Sequence, residues 1–266
     1  MENEIKLAAV IVLYQERLED SATYLSLLKQ ANIPVLVYDN SPTSQAIKIK
    51  ELFTYISDTS NSGVSAAYNK AWRWAVQNDY THLLLLDSDS TFPENARNEY
   101  LSAASKLKEK LIVPAMISKE RKISPFYFKS GKSHYGDGIK SGIIEMGNIV
   151  AINSGLLVPI PVLNKVDGFN ELLPLDWSDV YFIRKAAALH VKGIHIELQV
   201  RHGLSEHNET SLKPAKFRFK LQLDGIKLVA LSTKERYQMY FWMALKSIKL
   251  TLKRRSSWFL VRFLKQ

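Results

Sequence analysis

The sequence contains no cysteine. Disulfide bonds, thiolate nucleophiles and cysteine-ligated metals are therefore excluded, and the composition fits a reducing cytoplasm. Long apolar runs are also missing, because no stretch approaches the roughly 20 apolar residues that a membrane-spanning helix needs. The first residues (MENEIKLAAVIVLY) lack a basic segment and a small-residue cleavage site, so we expect no signal peptide.

Net charge is nearly absent from most of the chain and is concentrated at its end. The 266 residues carry a formal charge of +10, and 46% of them are apolar, which excludes a disordered chain. Residues 208–266 hold 14 Lys/Arg against three acidic residues, whereas residues 1–207 hold 22 basic and 23 acidic residues. This asymmetry predicts that the C-terminal segment contacts an anionic surface.

Strand and helix patterns alternate in the first part of the chain. Continuous apolar runs of this kind are typical of strands buried on both faces, and the segments between them have helical spacing. The predicted strands are 6–14, 34–38, 53–57 and 82–86, and the predicted helices are 16–30 and 64–77. Such alternation predicts an α/β fold with a mostly parallel sheet flanked by helices.

The pattern loosens after residue 115. We expect a loop or irregular hairpin at 118–142, and further on a helix at 175–191 and a strand at 193–200. Aromatic and aliphatic residues at helical spacing then predict a helix at 234–255.

Two carboxylates, Asp87 and Asp89, follow the fourth predicted strand. They can face one hard cation such as Mg²⁺ or Mn²⁺, which prefers oxygen ligands and often completes its shell with substrate phosphates. Such an ion makes a diphosphate a better leaving group. An acidic surface turn is the alternative, and the position after a buried strand favours the metal site.

Polar residues also follow the neighbouring predicted strands. Asp39, which precedes Asn40 and Ser41, can hydrogen-bond a base or ribose, or form an ordinary Asx turn. Asn61 and Gly63 open the helix predicted at 64–77. There the backbone can approach a ligand and the helix N-terminus favours phosphate, and a plain helix cap is the alternative.

Asp176 and Asp179 lie three residues apart near the start of the helix predicted at 175–191. This spacing predicts that they share one helical face, where the helix N-terminus favours an ionised carboxylate suited to a general base. N-capping by Asp176 or Ser178 is the alternative, and both roles are compatible. His202 and His207 follow the last predicted strand, and either can add a nitrogen ligand to the metal or be a simple loop residue.

The order and spacing of these motifs resemble family 2 glycosyltransferases, and within them the bacterial rhamnosyltransferase-like branch. The resemblance runs from about residue 7 to residue 202. It rests on Asp39-Asn40-Ser41, Asn61-x-Gly63 with Ala67-x-Asn69, Asp87-Ser88-Asp89, Asn153-Ser154-Gly155, Gly168-Phe169-Asn170-Glu171 with Asp176 and Asp179, and His202-Gly203. Asn170, Tyr181 and Lys185 depart from the family pattern, and these departures concern the acceptor contacts.

The resemblance implies a GT-A fold and specific roles for the residues that carry it. Asp179 would be the general base, with Asp176 beside it as a second catalytic carboxylate. Asp89 and His202 would hold Mg²⁺ or Mn²⁺. The nucleotide sugar would be bound by Tyr14, Asp39, Asn61, Gly63, Asn69 and Asp87. Residues 1–207 would form the catalytic domain, with donor binding in 1–115 and the acceptor and base region in 116–207.

The implied reaction is an inverting transfer of a sugar from a dTDP- or UDP-linked donor. Rhamnose is favoured and galactofuranose is the alternative. The acceptor would be a hydroxyl of a bacterial cell-surface glycan or a lipid-linked glycan. This mechanism requires Asp89 and Asp179 to share one cavity.

The basic segment 208–266 permits two interpretations. Its apolar stripe and lysines suit a helix in an anionic bilayer interface, which would make the protein peripheral on the cytoplasmic membrane face. Alternatively, the apolar face packs on the catalytic domain. A nucleic-acid-binding tail is a rival hypothesis that gives the aspartates no role. A nucleotidylyltransferase is another, but the first strand lacks the glycine-rich phosphate loop such an enzyme needs.

Overall fold

The computed structural model describes residues 4–45, 51–106, 109–203 and 211–266, and within them a ten-stranded sheet forms the centre of the fold. Four parallel strands, in the order β3–β2–β1–β4, make one half of the sheet. They are β1 (Leu7–Leu13), β2 (Val35–Asp39), β3 (Phe53–Ser57) and β4 (His82–Asp87). The four strands expected from the sequence are thus present, each within one residue of the expected bounds.

The other half of the sheet is mixed rather than parallel. Its strands are β5 (Ser90–Thr91), β6 (Leu111–Ser118), β7 (Arg121–Ser124), β10 (Gly142–Ile144), β12 (Leu157–Pro159) and β13 (Gly193–His202). Strand β12 lies between β4 and β6 and is antiparallel to both, while β13 is parallel to β6. The expectation of a mostly parallel sheet therefore holds only for the first half.

The region expected to be a loop or irregular hairpin contains a small antiparallel sheet. Its strands are β8 (Phe126–Lys129), β9 (Lys132–His134) and β11 (Ile149–Val150). Strands β8 and β9 form a hairpin, and β11 pairs with the other edge of β8. The aromatic side chains of Phe126 and Phe128 point into the apolar core, which ties this sheet to the main one.

Helices cover both faces of the main sheet. Alternate side chains of β1 point to opposite faces, and each face has its own apolar layer. The helices of the catalytic region are α1 (Val64–Gln77), α2 (Ala96–Lys106), α3 (Ile160–Val166) and α4 (Ser178–Ala188). Helices α1, α3 and α4 contribute to one layer, and α2 contributes to the other.

The helix expected at 16–30 is not regular. A 3₁₀ turn (Leu18–Asp20) and a π-helical turn (Tyr24–Leu28) replace it. Hydroxyl groups of Ser21 and Thr23 donate hydrogen bonds to the carbonyls of Ser88 and Asp87, and Thr23 N–H donates to Ser88 O. These bonds hold the segment against the loop after β4 and compete with a regular helix.

The basic C-terminal segment forms three helices that pack on the rest of the molecule. They are α5 (Leu212–Val229), α6 (Thr233–Arg254) and α7 (Trp258–Leu264). Phe219, Met239 and Phe259 are buried in the same apolar layer as α1 and α4. A boundary at residues 207/208 stays a prediction, because residues 204–210 lie outside the described residues. None of the helices in the described parts of the chain combines the length and apolar content needed to cross a bilayer.

Candidate active site

A deep cleft opens at the carboxyl ends of β1 and β4. The chain runs from β1 to β2 and β3 on one side and then crosses back to β4 on the other side. This reversal of strand order leaves a crevice between the two strands, which is where open α/β sheets bind ligands. The cleft has a volume of about 1330 Å³, larger than the roughly 300–1,000 Å³ usual for one small-molecule ligand. It therefore has room for two substrates.

Three candidate metal ligands meet on one side of this cleft. Asp87 ends β4, Asp89 lies in the turn before β5, and His202 ends β13, which pairs with β5. One ligand atom from each residue lies within 4.8 Å of the others. His202 Nδ1 is 3.3 Å from Asp89 Oδ1 and 2.9 Å from the hydroxyl of Ser90. His207, the other histidine considered, lies outside the described residues.

A chain of hydroxyl groups behind the carboxylates fixes this arrangement. Ser154 Oγ accepts a hydrogen bond from Asp87 N–H and is 2.9 Å from Ser90 Oγ, which in turn contacts the ring of His202. Tyr68 from α1 donates its hydroxyl to Asp87 Oδ1. Tyr68 and Ser90 were not predicted as site residues, since no local sequence pattern marks them. Such supporting hydrogen bonds orient metal ligands in proteins.

Burial makes these carboxylates harder to ionise. Burial raises the pKa of Asp89 to about 6, and the charge of Asp87 adds to this while His202 opposes it. Burial also raises the pKa of Asp87, against the effects of His202 and the Tyr68 hydroxyl. Two carboxylates that repel each other in a partly buried site favour a cation between them.

The residues present fit a hard divalent cation. Asp89 Oδ1 is buried and accepts no hydrogen bond from the described residues, so one lone-pair site remains available for a ligand. Two carboxylates and one imidazole match the preferences of Mn²⁺, and the carboxylates also suit Mg²⁺.

Asp179 lines the same cleft, in the first turn of α4. Burial raises the pKa of its carboxyl group to about 6. The backbone N–H of Val180 donates to Asp179 Oδ1 and lowers the pKa, whereas the charges of Asp176 and Asp87 raise it further. Asp89 and Asp179 therefore share one cavity, as the implied mechanism requires.

Asp176 does not share a helical face with Asp179, contrary to the prediction. It precedes α4, which begins only at Ser178, because Trp177 at the N-cap has a left-handed backbone with φ of 69°. Asp176 Oδ1 accepts hydrogen bonds from Arg218 and Gln222 of α5, both at 2.9 Å. The predicted N-capping by Asp176 or Ser178 is also wrong, since the N-cap position is Trp177, whose side chain makes no capping hydrogen bond.

The residues expected at the donor end divide into two groups. Tyr14 and Asn61 line the cleft, and Tyr14 is 52% exposed. Asp39 is fully buried instead, because its carboxylate accepts hydrogen bonds from Ser41 N–H and the hydroxyl of Tyr55. Its neighbour Asn40 is the residue of this turn that reaches the cleft.

Gly63 and Asn69 both contact the loop before α4, and Gly63 also lines the cleft. A Cβ at Gly63, where φ is +91°, would lie 2.2 Å from Pro174 O, and the next N–H donates to this carbonyl at 2.7 Å. The close approach expected at Gly63 is therefore to the loop before α4. Asn69 does not line the cleft, because its amide binds the backbone of Phe169 and the carboxylate of Glu171.

The C-terminal helices form the far wall of the cleft, which the sequence did not reveal. Phe217 and Arg218 of α5 and Trp242 and Lys246 of α6 line it. Lys246 donates to Gln222 Oε1, and Lys132 of β9 lies over the Trp242 ring at 4.6 Å. The part of the cleft beside β4 is thus acidic, while the wall formed by α5 and α6 is basic and aromatic.

Residues 9–156, more than half of the chain, match the family model described as Glycosyl transferase family 2. The chain belongs to this family. This membership gives the nucleotidylyltransferase and nucleic-acid hypotheses no support. A comparison with curated protein sequences gives no match.

Solved structures share the fold of this chain. A crystal structure of GalNAc-T7 with UDP, GalNAc and Mn²⁺ superposes with a TM-score of 0.57 at 12% identity, over 76% of this chain and 44% of the other. S. aureus TarS 1–349 in complex with UDP-GlcNAc gives a TM-score of 0.52 at 15% identity, over 98% and 81%. This chain thus spans less than half of the GalNAc-T7 chain. At such identities the similarity establishes a shared GT-A fold.

Proposed function

We propose that the protein transfers a sugar, with inversion, from a nucleoside-diphosphate donor to a hydroxyl group of a glycan acceptor. The observation that carries this proposal is the shared cleft of Asp89 and Asp179, which has carboxylates for a cation on one side and a carboxylate of raised pKa on the other. Asp87, Asp89 and His202 would hold Mg²⁺ or Mn²⁺. When bound, the ion would offset negative charge on the departing diphosphate.

The chain's own residues account for the proton transfer. Asp179 accepts the proton of the acceptor hydroxyl, whose oxygen forms a bond to the anomeric carbon. The bond between that carbon and the diphosphate oxygen breaks, and its electron pair leaves with the nucleoside diphosphate. A pKa of about 6 leaves Asp179 mostly ionised at neutral pH and still basic enough to accept the proton.

The donor end of the cleft suits a nucleotide. Tyr14 offers an exposed ring, and Asn40 and Asn61 offer amides for a base or ribose. Asp39 would act indirectly, by fixing the turn that carries Asn40. The TarS complex with UDP-GlcNAc supports a nucleoside-diphosphate donor in general terms. The motif resemblance favours a dTDP- or UDP-linked sugar, with rhamnose first and galactofuranose second.

The far end of the cleft suits the acceptor. Aromatic side chains such as Phe217 and Trp242 can stack on sugar rings, and Lys132, Lys213 and Lys246 can bind an anionic group. A bacterial cell-surface glycan or a glycan carried on a lipid diphosphate has both features. Asp176 would position the acceptor wall through Arg218 and Gln222.

The test combines a donor screen with three variants. Purified protein is incubated with dTDP- and UDP-sugars, Mn²⁺ or Mg²⁺ and candidate glycan acceptors, and both released nucleoside diphosphate and glycan product are measured. We expect Asp179→Asn to abolish transfer but keep nucleotide-dependent thermal stabilisation, and Asp89→Ala to lose both. Asp20→Asn, at an exposed carboxylate outside the cleft, is the matched control. Normal turnover by Asp179→Asn would remove that residue from the role of base.

A further inference from the structure

Helix α6 presents two apolar faces, and only one of them is covered. Met239, Met243 and Ser247 are buried against the rest of the molecule. A second row, here called the outer stripe, consists of Tyr237, Phe241, Leu245, Ile248 and Leu252. Its five side chains are between 44% and 74% exposed. With 3.6 residues per turn the outer stripe runs along one side of the helix, roughly opposite the buried row.

The charges around the outer stripe have one sign. Lys234, Lys249 and Lys253 are exposed on the same helix, and Arg255 follows it. The one acidic residue of α6, Glu235, is paired with Arg184 at 2.6 Å, so its charge is already neutralised by a partner outside the helix. Along the described helix α6 the surface therefore combines bulky apolar side chains with exposed positive charge.

We infer that the outer stripe docks on an anionic lipid bilayer. Aromatic and aliphatic side chains would enter the boundary between headgroups and acyl chains, and the lysines would face anionic headgroups. A second copy of this chain fits less well, because a two-fold contact through the stripe would bring equal positive charges together. Lysine is also depleted at the centre of protein–protein interfaces.

Helix α6 also contributes side chains to the cleft, which relates the membrane docking to the proposed reaction. Trp242 and Lys246, on another side of the same helix, line the far end of the cleft. A bilayer on the outer stripe would thus lie beside the proposed acceptor end. On the proposed function, a lipid-linked acceptor would reach the cleft without leaving the membrane.

Vesicle co-sedimentation of the full chain tests the inference without any sugar substrate. Wild type should bind vesicles containing anionic phosphatidylglycerol and bind much less to neutral phosphatidylcholine vesicles. The triple variant Phe241→Ser, Leu245→Ser, Leu252→Ser should lose at least tenfold in affinity. Lys249→Gln and Lys253→Gln should each lose about fivefold at low salt. The matched control replaces exposed apolar residues elsewhere, as Leu25→Ser, Val76→Ser and Ile143→Ser, and should bind like wild type.

The outcomes separate this inference from the proposed function. Asp89→Ala should bind vesicles like wild type, whatever its effect on transfer. The inference would be overturned if the wild-type protein did not bind anionic vesicles, or if the stripe variant bound them as well as the control variant does. A wild-type dimer in light scattering that the stripe variant converts to monomer, without vesicle binding, would assign the stripe to a second copy instead. Circular dichroism melting of each variant checks that the fold is kept.

Discussion

Replacing Asp179 by asparagine should stabilise the protein while it removes the proposed base. Asparagine has the size of aspartate and can still accept the hydrogen bond from Val180 N–H. It carries no charge, however, and burial makes the charge of Asp179 unfavourable. A pKa raised from 3.8 to about 6 means that the folded state holds the proton more tightly than the unfolded chain. Ionised Asp179 therefore destabilises the fold increasingly as pH rises from about 4 to about 6.

The magnitude follows from this pKa difference. Above pH 7 the difference corresponds to about 3 kcal/mol, and because the side chain lines an open cleft we expect a gain of about 1–3 kcal/mol. For a chain of this size the melting temperature should rise by roughly 3–9 °C at pH 7.5. At pH 4 the folded state is almost fully protonated and the unfolded chain is partly protonated, so the gain should fall below about 1 kcal/mol.

Asp58→Asn is the matched comparison, since its effect should have the opposite sign. Burial raises the pKa of Asp58, but hydrogen bonds from Ser60, Ser62 and Tyr38 outweigh burial and lower the pKa to about 2. Losing this charge should reduce stability at neutral pH by about 1–2 kcal/mol, an effect that disappears as pH falls from 4 to 2. Urea unfolding of both variants at pH 4 and 7.5 measures the pair. An Asp179→Asn protein no more stable than wild type at pH 7.5, or equally stabilised at both pH values, would refute the reasoning.

Three further predictions concern the site and its supports. Transfer should fall about tenfold per pH unit below about 6, as Asp179 takes up a proton, and the initial rate at saturating donor measures this. Gly63→Ala should lower the free energy of unfolding in urea by at least about 2 kcal/mol, because the added Cβ meets Pro174 O and φ is positive. Gly136→Ala is the control, since its φ is also positive but no atom lies within 4 Å of the added Cβ. Glu235→Ala should lower the free energy of unfolding by about 3 kcal/mol, because the buried charge of Arg184 loses its partner. Glu145→Ala, which breaks an exposed ion pair with Lys192, should lower it by less than about 0.5 kcal/mol.

Local patterns predicted the parallel half of the sheet well, and they singled out Asp87, Asp89 and His202, which the structure brings together. The runs that became β1 and β4 are apolar throughout, and strand ends on one edge meet regardless of loop detail. In the mixed half β13 was predicted at 193–200, but the order and direction of the strands were not predictable in this way, because the three-residue β12 is specified by its neighbours β4 and β6. The same reason explains the irregular segment before β2, whose shape depends on hydrogen bonds to the distant loop after β4.

Three residues predicted for the site have partners that their spacing could not reveal. Asp176, Asn69 and Gly63 were assigned from spacing, which identifies a motif but not the partner of each side chain. Their partners are Arg218, the backbone of Phe169 and Pro174 O, which lie 42 to 111 residues away in the chain. The roles proposed for Asp179, Asp89 and His202 stay predictions to be tested by the variants above.

Gln222 contacts three parts of the active-site wall at once. Its side chain donates to Asp176 and accepts from Lys246, and its carbonyl accepts from the indole of Trp177. If another protein's C-terminal helices replaced α5–α7, the turn leading into α4 would therefore lose its hydrogen bonds to Gln222. Exchange of the C-terminal helices between relatives should give a stable fold only when residues 174–178 and 211–266 are exchanged together.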